Sequence, residues 1–336
     1  MPLFTIVIAT RDRAELFEAA LNSVEAQDFD DTEIVVVNDG SKPASLPVYA
    51  DILSRAQQRL GARLRSFQLV RRAKGHGSSY SLNFGVDQAQ GDYVCFLDDD
   101  DLWTDAGHLS RTAQVLRHQR EARCTVDVYM ANQEAVKQGQ RLPGSTWIEA
   151  LEGQLRAHGR EPDADGAYAV DVTELLNSGG FCHLNTLVVR RDFFLQVGGL
   201  DEGIRWENDR DFFLRLLDAA ALMVHHPALT ARHHVPDPQA RSSITTGLNQ
   251  IERRLWQVRV MDKSALGLKH PLLRAHARLH KGYALKRIAE ELARQQSWRT
   301  ARSYAAQALA AQPTFKWALF TVYCGLRQFA QGRSSQ

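Results

Sequence analysis

Cysteine is scarce in this 336-residue sequence, and its four cysteines form no motif. Cys95, Cys124, Cys182 and Cys324 lie far apart and lack the CxxC or Cys/His spacing of a zinc site. Scattered cysteines of this kind indicate reduced thiols in the core of a cytoplasmic protein.

Long apolar runs are also absent. The longest late run, 317–326, is about half of the roughly 20 residues that span a bilayer, so we expect no transmembrane segment. The N-terminal stretch MPLFTIVIATRDR is too short in apolar residues for a secretory signal and is interpreted as a first strand. With 44% hydrophobic and 24% charged residues and no low-complexity segment, the chain is expected to fold around a sizeable core.

Two common phosphate-binding motifs are missing. The first predicted strand is followed by ATRDRAEL, where a dinucleotide-binding fold needs G-x-G-x-x-G. The segment KGHGSSYS (74–81) has glycines but lacks the Gly-Lys pair of a phosphate loop. The sequence therefore disfavours dinucleotide-dependent oxidoreductases and P-loop NTPases.

Acidic and basic residues are unevenly distributed. Residues 1–250 carry 25 Lys and Arg against 35 Asp and Glu, whereas residues 251–336 carry 16 against 4. The overall charge of +2 thus hides an acidic first part and a basic second part. We expect two domains, 1–240 and 247–336, with different partners.

Short apolar runs alternate with helical patterns in the first 100 residues. The predicted strands are 4–9, 33–38, 63–70 and 92–97, and the predicted helices are 14–26, 47–60 and 78–89. Strands with consecutive apolar residues that alternate with helices favour a parallel sheet covered on both faces. The predicted fold class is α/β, with a Rossmann-like, mostly parallel sheet flanked by helices and followed by an all-α C-terminal subdomain.

The patterns after residue 130 are weaker. Residues 131–182 predict loops and short elements, 185–191 a further strand, and 208–219 a buried helix. Everything from about residue 247 onward is typical of helices, and 298–318 resembles the second half of one tetratricopeptide repeat.

Three polar clusters follow predicted strands, at 10–13, 39–41 and 98–101. Since ligands bind outside the carboxyl ends of such strands, these loops should converge on one edge of the sheet. The run Asp98 to Asp101 places four carboxylates together, which raises their pKa values unless a cation relieves the repulsion. Asp98 and Asp100 could offer oxygen ligands to Mg²⁺ or Mn²⁺. The alternatives are a solvated turn at 98–101 and a simple Asx turn at Asp39.

Five segments resemble, in order and at the usual spacing, those of family 2 glycosyltransferases with the GT-A fold. They are TIVIATRDRAELFEAALNSVEAQ, EIVVVNDGS, GVDQAQGDYVCFLDDDDLW, VVRRDFFLQVGGLDE and ENDRDFFLRLLDA. The resemblance covers residues 3–235 and is specific in combination, although no single segment is.

The resemblance implies roles for particular residues. Asp39 is similar to the carboxylate that reads the base, and Asp98 and Asp100 are similar to the family's Asp-x-Asp, with Asp100 as the direct metal ligand. Asp209 matches the catalytic base of an inverting enzyme, and His234 lies where relatives contact the diphosphate or the metal. The expected metal ligands are Asp98, Asp100 and His234, and the expected donor-binding residues are Thr10, Arg11, Asp12, Arg13, Asp39, Arg71, Asn83, Asp98 and Asp99.

The sequence departs from the family pattern at three places. Arg11 replaces an aromatic residue of the first loop, Leu82 replaces an arginine before Asn83, and Asn208 replaces a glutamate before Asp209. Arg71, Arg72 or Lys74 could replace the lost phosphate contact, and Glu207 could take a shifted role. A capping acid is the alternative interpretation of Asp209. His225 and His226 are interpreted as structural.

The resemblance implies an inverting, metal-dependent enzyme that moves a sugar from a nucleotide diphosphate, by family habit UDP, to a hydroxyl group of a saccharide or lipid-linked acceptor. Surface polysaccharide or glycoconjugate synthesis in bacteria is the expected context. The basic helices predict peripheral contact with the inner face of the membrane, or solvated helix faces as the alternative. A degenerate binding module and a nucleotidyltransferase are the rival functions, and no motif indicates nucleic-acid binding.

Overall fold

The computed structural model describes residues 1–142, 147–235 and 247–333. The chain divides into two compact units, Met1–Asp237 and Pro238–Gln336. The predicted end of the first domain at residue 240 lies outside the described residues.

The first unit contains ten strands, which form one sheet, and eight helices among its described residues. In chain order these elements are β1 (Phe4–Thr10), α1 (Ala14–Glu25), β2 (Thr32–Asn38), α2 (Leu46–Leu60), β3 (Leu64–Gln68), α3 (Ser78–Asp87), β4 (Tyr93–Phe96), β5 (Leu102–Trp103), α4 (His108–Glu121), β6 (Val128–Lys137), β7 (Gln140–Arg141), α5 (Leu151–Ala157), β8 (Tyr168–Val170), α6 (Val172–Asn177), β9 (Leu187–Arg190), α7 (Arg191–Gln196), α8 (Asn208–Ala219) and β10 (Met223–His234).

The sheet has a parallel half and a mixed half. Its strand order is β3-β2-β1-β4-β9-β6-β10-β5, with β7 beside β6 and β8 beside β10. Strands β3, β2, β1 and β4 are parallel, as predicted. Strand β9 is antiparallel to both β4 and β6, and β6 and β10 are parallel to each other. The α/β prediction is confirmed, and the second half of the sheet adds antiparallel pairs that the sequence pattern did not indicate.

Local sequence explains the parallel half. Strands β1 and β2 read FTIVIAT and TEIVVVN and are almost wholly buried, which suits β-branched side chains between two helical layers. Helix α1 turns Phe17, Ala20, Leu21 and Val24 to the core, at the spacing of one helix face. These strands therefore end at the same edge and deliver their loops to it.

Two long strands, β6 and β10, were not predicted. Strand β6 reads VYMANQEAVK and buries the polar Asn132 and Gln133, so it shows neither alternation nor an apolar run. The Asn132 amide donates to the carbonyl of Pro227, 95 positions away. Because such partners come from distant segments, the window 131–182 predicted only loops and short elements.

The second unit consists of four helices in its described residues: α9 (Gln250–Gly267), α10 (Pro271–Arg294), α11 (Trp298–Ala311) and α12 (Phe315–Arg333). A capping box of Asn249 and Glu252 begins the first of them. Each helix packs on the next along the chain, which confirms the all-α prediction. Across the described residues, every helix is too short or too polar to serve as a membrane span.

Candidate active site

The loops after β1 and β4 are joined by a buried hydrogen-bond network. The Thr10 hydroxyl donates to Asp99 Oδ2 over 2.7 Å. The Arg13 guanidinium lies 3.0 Å from Asp99 and 2.8 Å from Asp100. The cation that relieves the aspartate run is therefore supplied, in part, by the chain itself.

Tyr49 of α2 connects this network to the neighbouring helix. Its hydroxyl shares a 2.8 Å hydrogen bond with Thr10 and accepts one from the Arg13 backbone amide over 2.9 Å. Burial raises the pKa of Tyr49, so the phenol stays protonated. Sequence analysis did not identify Tyr49, because its position on the buried face of α2 looks like ordinary core.

Asp39, after β2, is held by the segment before α3. Its carboxylate accepts hydrogen bonds from the backbone amides of His76 and Gly77 and from His76 Nδ1. Arg11 donates to the carbonyl of Arg72 over 2.9 Å and also to that of Ala73. The glycines around His76 were the only sequence signal for this contact.

Asp12 and Arg71 lie against the same loop. Asp12 has a left-handed φ of 56°, and its carboxylate accepts from the Lys42 amide over 2.7 Å. The exposed Arg71 passes its backbone close to Gly40. The three predicted loops thus converge, because Thr10 and Arg13 contact Asp99, while Arg11, Asp12, Asp39 and Arg71 lie in the same region.

Asn83 is placed differently. Its Nδ2 donates to the Leu200 carbonyl over 2.9 Å and to the Glu202 carboxylate over 3.0 Å. Its Oδ1 accepts from the Leu200 amide over 2.9 Å. It supports the turn that follows α7. The structure does not bring its side chain into the carboxylate cluster.

Asp101 is fully buried and fixes the far side of the aspartate loop. It accepts hydrogen bonds from Asn185 Nδ2 (2.6 Å), His233 Nδ1 (2.8 Å) and the His234 amide (2.7 Å). Asn185 Oδ1 in turn accepts from the Asp98 amide over 3.0 Å. Asn185 and His233 were missed because their partners lie 84 and 132 positions away.

The four carboxylates differ in their pKa values. Burial raises the pKa of Asp98 well above its ordinary value, and Asp101 and Asp100 add to this effect. Burial likewise raises the pKa of Asp100, and that of Asp99 to about 6. The pKa of Asp101 is lowered despite burial, because His233 donates to it, and the pKa of His233 rises to about 9 in return.

Three side chains offer a compact set of metal-ligand atoms. Asp98, Asp101 and His183 each have one such atom within 4.8 Å of the others. Carboxylate oxygens suit Mg²⁺ or Mn²⁺. His183 Nδ1 accepts from the Asn185 amide, so in the neutral ring Nε2 carries the proton. Burial lowers the pKa of His183 to about 3, which keeps the ring neutral.

His234 lies at the edge of this group, with its side chain partly exposed. Its Nδ1 donates to the Asp100 carbonyl over 2.8 Å, which leaves Nε2 as the nitrogen able to take a ligand. Trp147 packs edge-on against both His183 and His233, next to the carboxylate cluster.

Asp209 lies in the first turn of α8 and faces the same histidine. His183 Nε2 is 3.8 Å from Asp98 and 3.9 Å from Asp209. Burial raises the pKa of Asp209 and outweighs the hydrogen bond from the Arg210 amide. The carboxylate is therefore a stronger base than an exposed one. Glu207, at a left-handed φ of 66°, pairs with Arg210 rather than with the cluster.

The histidines at 225 and 226 lie outside this group. His225 is fully buried in β10, and burial lowers its pKa to about 4. The His226 ring accepts a hydrogen bond from the Ala228 amide.

Residues 5–170 match the family model described as glycosyl transferase family 2. A β-1,3-glucosyltransferase of Campylobacter jejuni, which acts on GalNAc(5)-diNAcBac-PP-undecaprenol, is 35% identical over 101 residues, although the similarity spans only 30% of either chain. A PGL/p-HBAD biosynthesis glycosyltransferase of Mycobacterium bovis is 28% identical over 67% of this chain and 73% of its own.

Two solved structures share the fold. TarS 1–349 of S. aureus, in complex with UDP-GlcNAc, superposes with a TM-score of 0.64 at 18% identity, over 92% of this chain and 81% of that one. The mannosyltransferase PcManGT of Pyrobaculum calidifontis, in complex with GDP-Man and Mn²⁺, gives 0.57 at 19% identity, over 99% and 82%. The family match and the shared architecture agree with the resemblance based on the motifs: residues 5–170 form a glycosyltransferase family 2 domain, and the chain has the GT-A fold.

Proposed function

We propose that the protein transfers a sugar, with inversion, from a nucleotide-diphosphate donor to an acceptor hydroxyl. The observation that supports this best is that Asp98 and Asp209 both lie near His183 Nε2, at 3.8 and 3.9 Å. A donor-side carboxylate and a base that face one point suit a displacement in which donor and acceptor meet there.

The three loops 10–13, 39–41 and 98–101 form the donor site in this proposal. Asp39, fixed by His76 and Gly77, reads the base, and Thr10, Arg11, Asp12 and Arg71 line the same region. Asp98 and Asp99 approach the ribose and the diphosphate. A UDP sugar is the favoured donor, and the donor of the related fold in TarS, UDP-GlcNAc, is consistent with this choice.

Asp209 acts as the base. The attacking hydroxyl must lose its proton as the new bond forms, and a carboxylate whose pKa is raised by burial takes a proton more readily than an exposed one. His183 Nε2 lies 3.8 Å from Asp98 and 3.9 Å from Asp209, so its ring stands between the donor side and the base.

Asp98 and Asp100 would hold Mn²⁺ or Mg²⁺, with His234 Nε2 as a third ligand. Asp101 is the weaker candidate, because three donors already occupy its carboxylate, and His183 carries its proton on the nitrogen that faces the cluster. When bound, the ion would stabilise negative charge on the departing diphosphate. The Mn²⁺ in the PcManGT complex is consistent with this chemistry.

The acceptor is proposed to be a saccharide or a lipid-linked saccharide in the synthesis of a bacterial surface glycan, at the inner face of the membrane. The lipid-linked acceptor named for the Campylobacter relative is consistent with this class. The basic second unit suits such a location.

A panel of nucleotide sugars tests the proposal. A bound donor stabilises the folded state, so thermal unfolding with Mn²⁺ should shift upward for the correct donor and less for the others. Hydrolysis of that donor, followed by chromatography of the products, then checks the chemistry. A chain that binds no nucleoside diphosphate with or without metal would instead fit the binding-module alternative.

A further inference from the structure

Helix α12 has apolar side chains on two opposite faces. On one face, Trp317 and Cys324 are 8% and 0% exposed and pack on α10 and α11 side chains such as Ala305 and Ala301. On the other face, large apolar residues are exposed to solvent, among them four whose exposed fractions are 80% (Phe315), 55% (Leu319), 61% (Val322) and 65% (Leu326). Core packing within the unit accounts for the first face only.

The exposed residues form one continuous band, which we call the apolar stripe (Phe315, Leu319, Val322 and Leu326). Their spacing of four, three and four residues places them within an arc of about 60°, at about 100° per residue. Trp317 and Cys324 lie on the opposite side of the helix by the same measure. Tyr323, 47% exposed, widens the band on one side. The stripe runs along the helix for about 16 Å.

Basic side chains border the apolar stripe on both sides. Lys316 and Arg327 follow Tyr323 around the helix on one side. On the other side, the Arg302 guanidinium of α11 lies next to Gly325. Glu291 is the last acidic residue of the sequence, so no carboxylate follows it in α11 or α12.

We propose that the apolar stripe docks the second unit on an anionic lipid surface. Bulky apolar side chains enter the boundary between head groups and acyl chains, while the flanking lysine and arginines meet lipid phosphates. The inference extends the proposed function by naming the surface that brings the enzyme to a lipid-linked acceptor. Only the biological reason for docking rests on the proposed function, because binding to lipid needs no sugar transfer.

A second copy of the chain is the competing occupant. The four-three-four spacing also suits a helix seam between two chains. Two copies joined along α12 would, however, bring Lys316, Arg327 and Arg302 of each chain together, with no acidic residue after Glu291 to pair with them. Charge complementarity therefore favours the anionic surface.

Vesicle sedimentation with the full chain tests the proposal. We expect binding to phosphatidylcholine vesicles that contain about 30% phosphatidylglycerol, little binding to pure phosphatidylcholine, and weaker binding when salt rises from about 0.1 to 0.5 M. The double variant Leu319→Asp/Leu326→Asp should bind at least about tenfold more weakly. Lys316→Gln should weaken binding about fivefold.

The matched control is Leu266→Asp/Leu272→Asp, which adds the same charge at two exposed leucines of α9 and α10. It should bind as the wild type does, and all variants should keep the wild-type unfolding temperature, since every substituted side chain is exposed. Equal loss in both double variants would overturn the proposal. So would a chain that is dimeric without vesicles and becomes monomeric in Leu319→Asp/Leu326→Asp.

Transfer to a soluble acceptor, or donor hydrolysis, is measured separately in the same variants. Vesicle binding without transferase activity would support lipid docking by the apolar stripe and refute the proposed function. Transferase activity without vesicle binding would support the proposed function and refute lipid docking.

Discussion

The Arg13 guanidinium lies 2.8 Å from Asp100 Oδ2, with Asp99 at 3.0 Å from the same nitrogen. One cation therefore pairs with two of the four adjacent carboxylates before any ligand arrives. The two carboxylates raise the pKa of Arg13, although its burial opposes them. Four consequences of the site geometry, and one of the core, can be tested.

Arg13→Gln should lower the free energy of unfolding by about 2 kcal/mol at neutral pH, because partly buried hydrogen bonds to charged groups are lost. Urea unfolding measures this change. Arg59→Gln, which removes an exposed pair with Glu25, is the control and should lower the free energy of unfolding much less. Equal costs in the two variants would mean that Arg13 does not stabilise the aspartate loop.

Gly75→Ala should weaken donor binding without touching a ligand residue. Gly75 has a φ of 67°, and a Cβ there would overlap Arg11 Nη1 and Asp39 Oδ2. Gly61→Ala is a matched control, since Gly61 has a φ of 56° and open space around its Cβ position. Both variants should lose stability, because each places a Cβ on a backbone with a positive φ. Calorimetric titration with UDP should show weaker binding in Gly75→Ala alone, and a similar loss in both would refute the role of Asp39.

Asp209→Asn should reduce turnover about 10²- to 10⁴-fold while the donor still binds, because the base is lost and the donor loops are unchanged. Asp192→Asn, in the first turn of α7, removes an exposed acid from a similar helix position and should keep wild-type turnover. Steady-state kinetics with the identified donor checks both variants. Wild-type turnover in Asp209→Asn would leave Asp209 as a capping acid.

Measurements of Mn²⁺ affinity should distinguish the metal-binding carboxylates, Asp98 and Asp100, from His183. Asp98→Asn and Asp100→Asn should each weaken Mn²⁺ binding more than about tenfold, since each removes a charged oxygen ligand. His183→Gln should change it by less than about threefold, because the proton on Nε2 faces the cluster. Calorimetry with Mn²⁺ and UDP measures the affinities. A large loss in His183→Gln with none in Asp100→Asn would favour the set Asp98, Asp101 and His183.

Acid should destabilise the first unit through a buried histidine. Burial lowers the pKa of His108 to about 4, below its ordinary 6.5, so the unfolded state takes up this proton first. The stabilisation is fully present above pH 6.5 and is lost as the pH falls towards 4. Over that pH range the wild type should therefore lose up to roughly 3 kcal/mol more of its free energy of unfolding than His108→Phe loses. Urea unfolding at several pH values measures the free energy of unfolding of both proteins. A difference between them that does not change with pH would contradict the prediction.

Much of the fold follows from local pattern. Strands β1 and β2 are continuous β-branched runs, and α1 and α8 carry their core residues at helical spacing, so short windows identify them. The convergence of 10–13, 39–41 and 98–101 follows from parallel topology, since adjacent strands end at one edge.

The partners within the site did not follow from pattern. Tyr49, Asn185, His183 and His233 contact the aspartate loop or its neighbours from remote segments, and each looks locally like a core or strand residue.

By itself, the sequence determined the α/β class, the two-part charge distribution and the three loops that carry Thr10, Asp39 and Asp98. Only the tertiary structure decided that the four aspartates differ: Arg13 holds Asp99 and Asp100, His233 and Asn185 hold Asp101, and Asp98 faces His183. The physical reason is that the pKa and the ligand capacity of a carboxylate depend on burial and on nearby donors, and those donors come from segments up to 132 positions away.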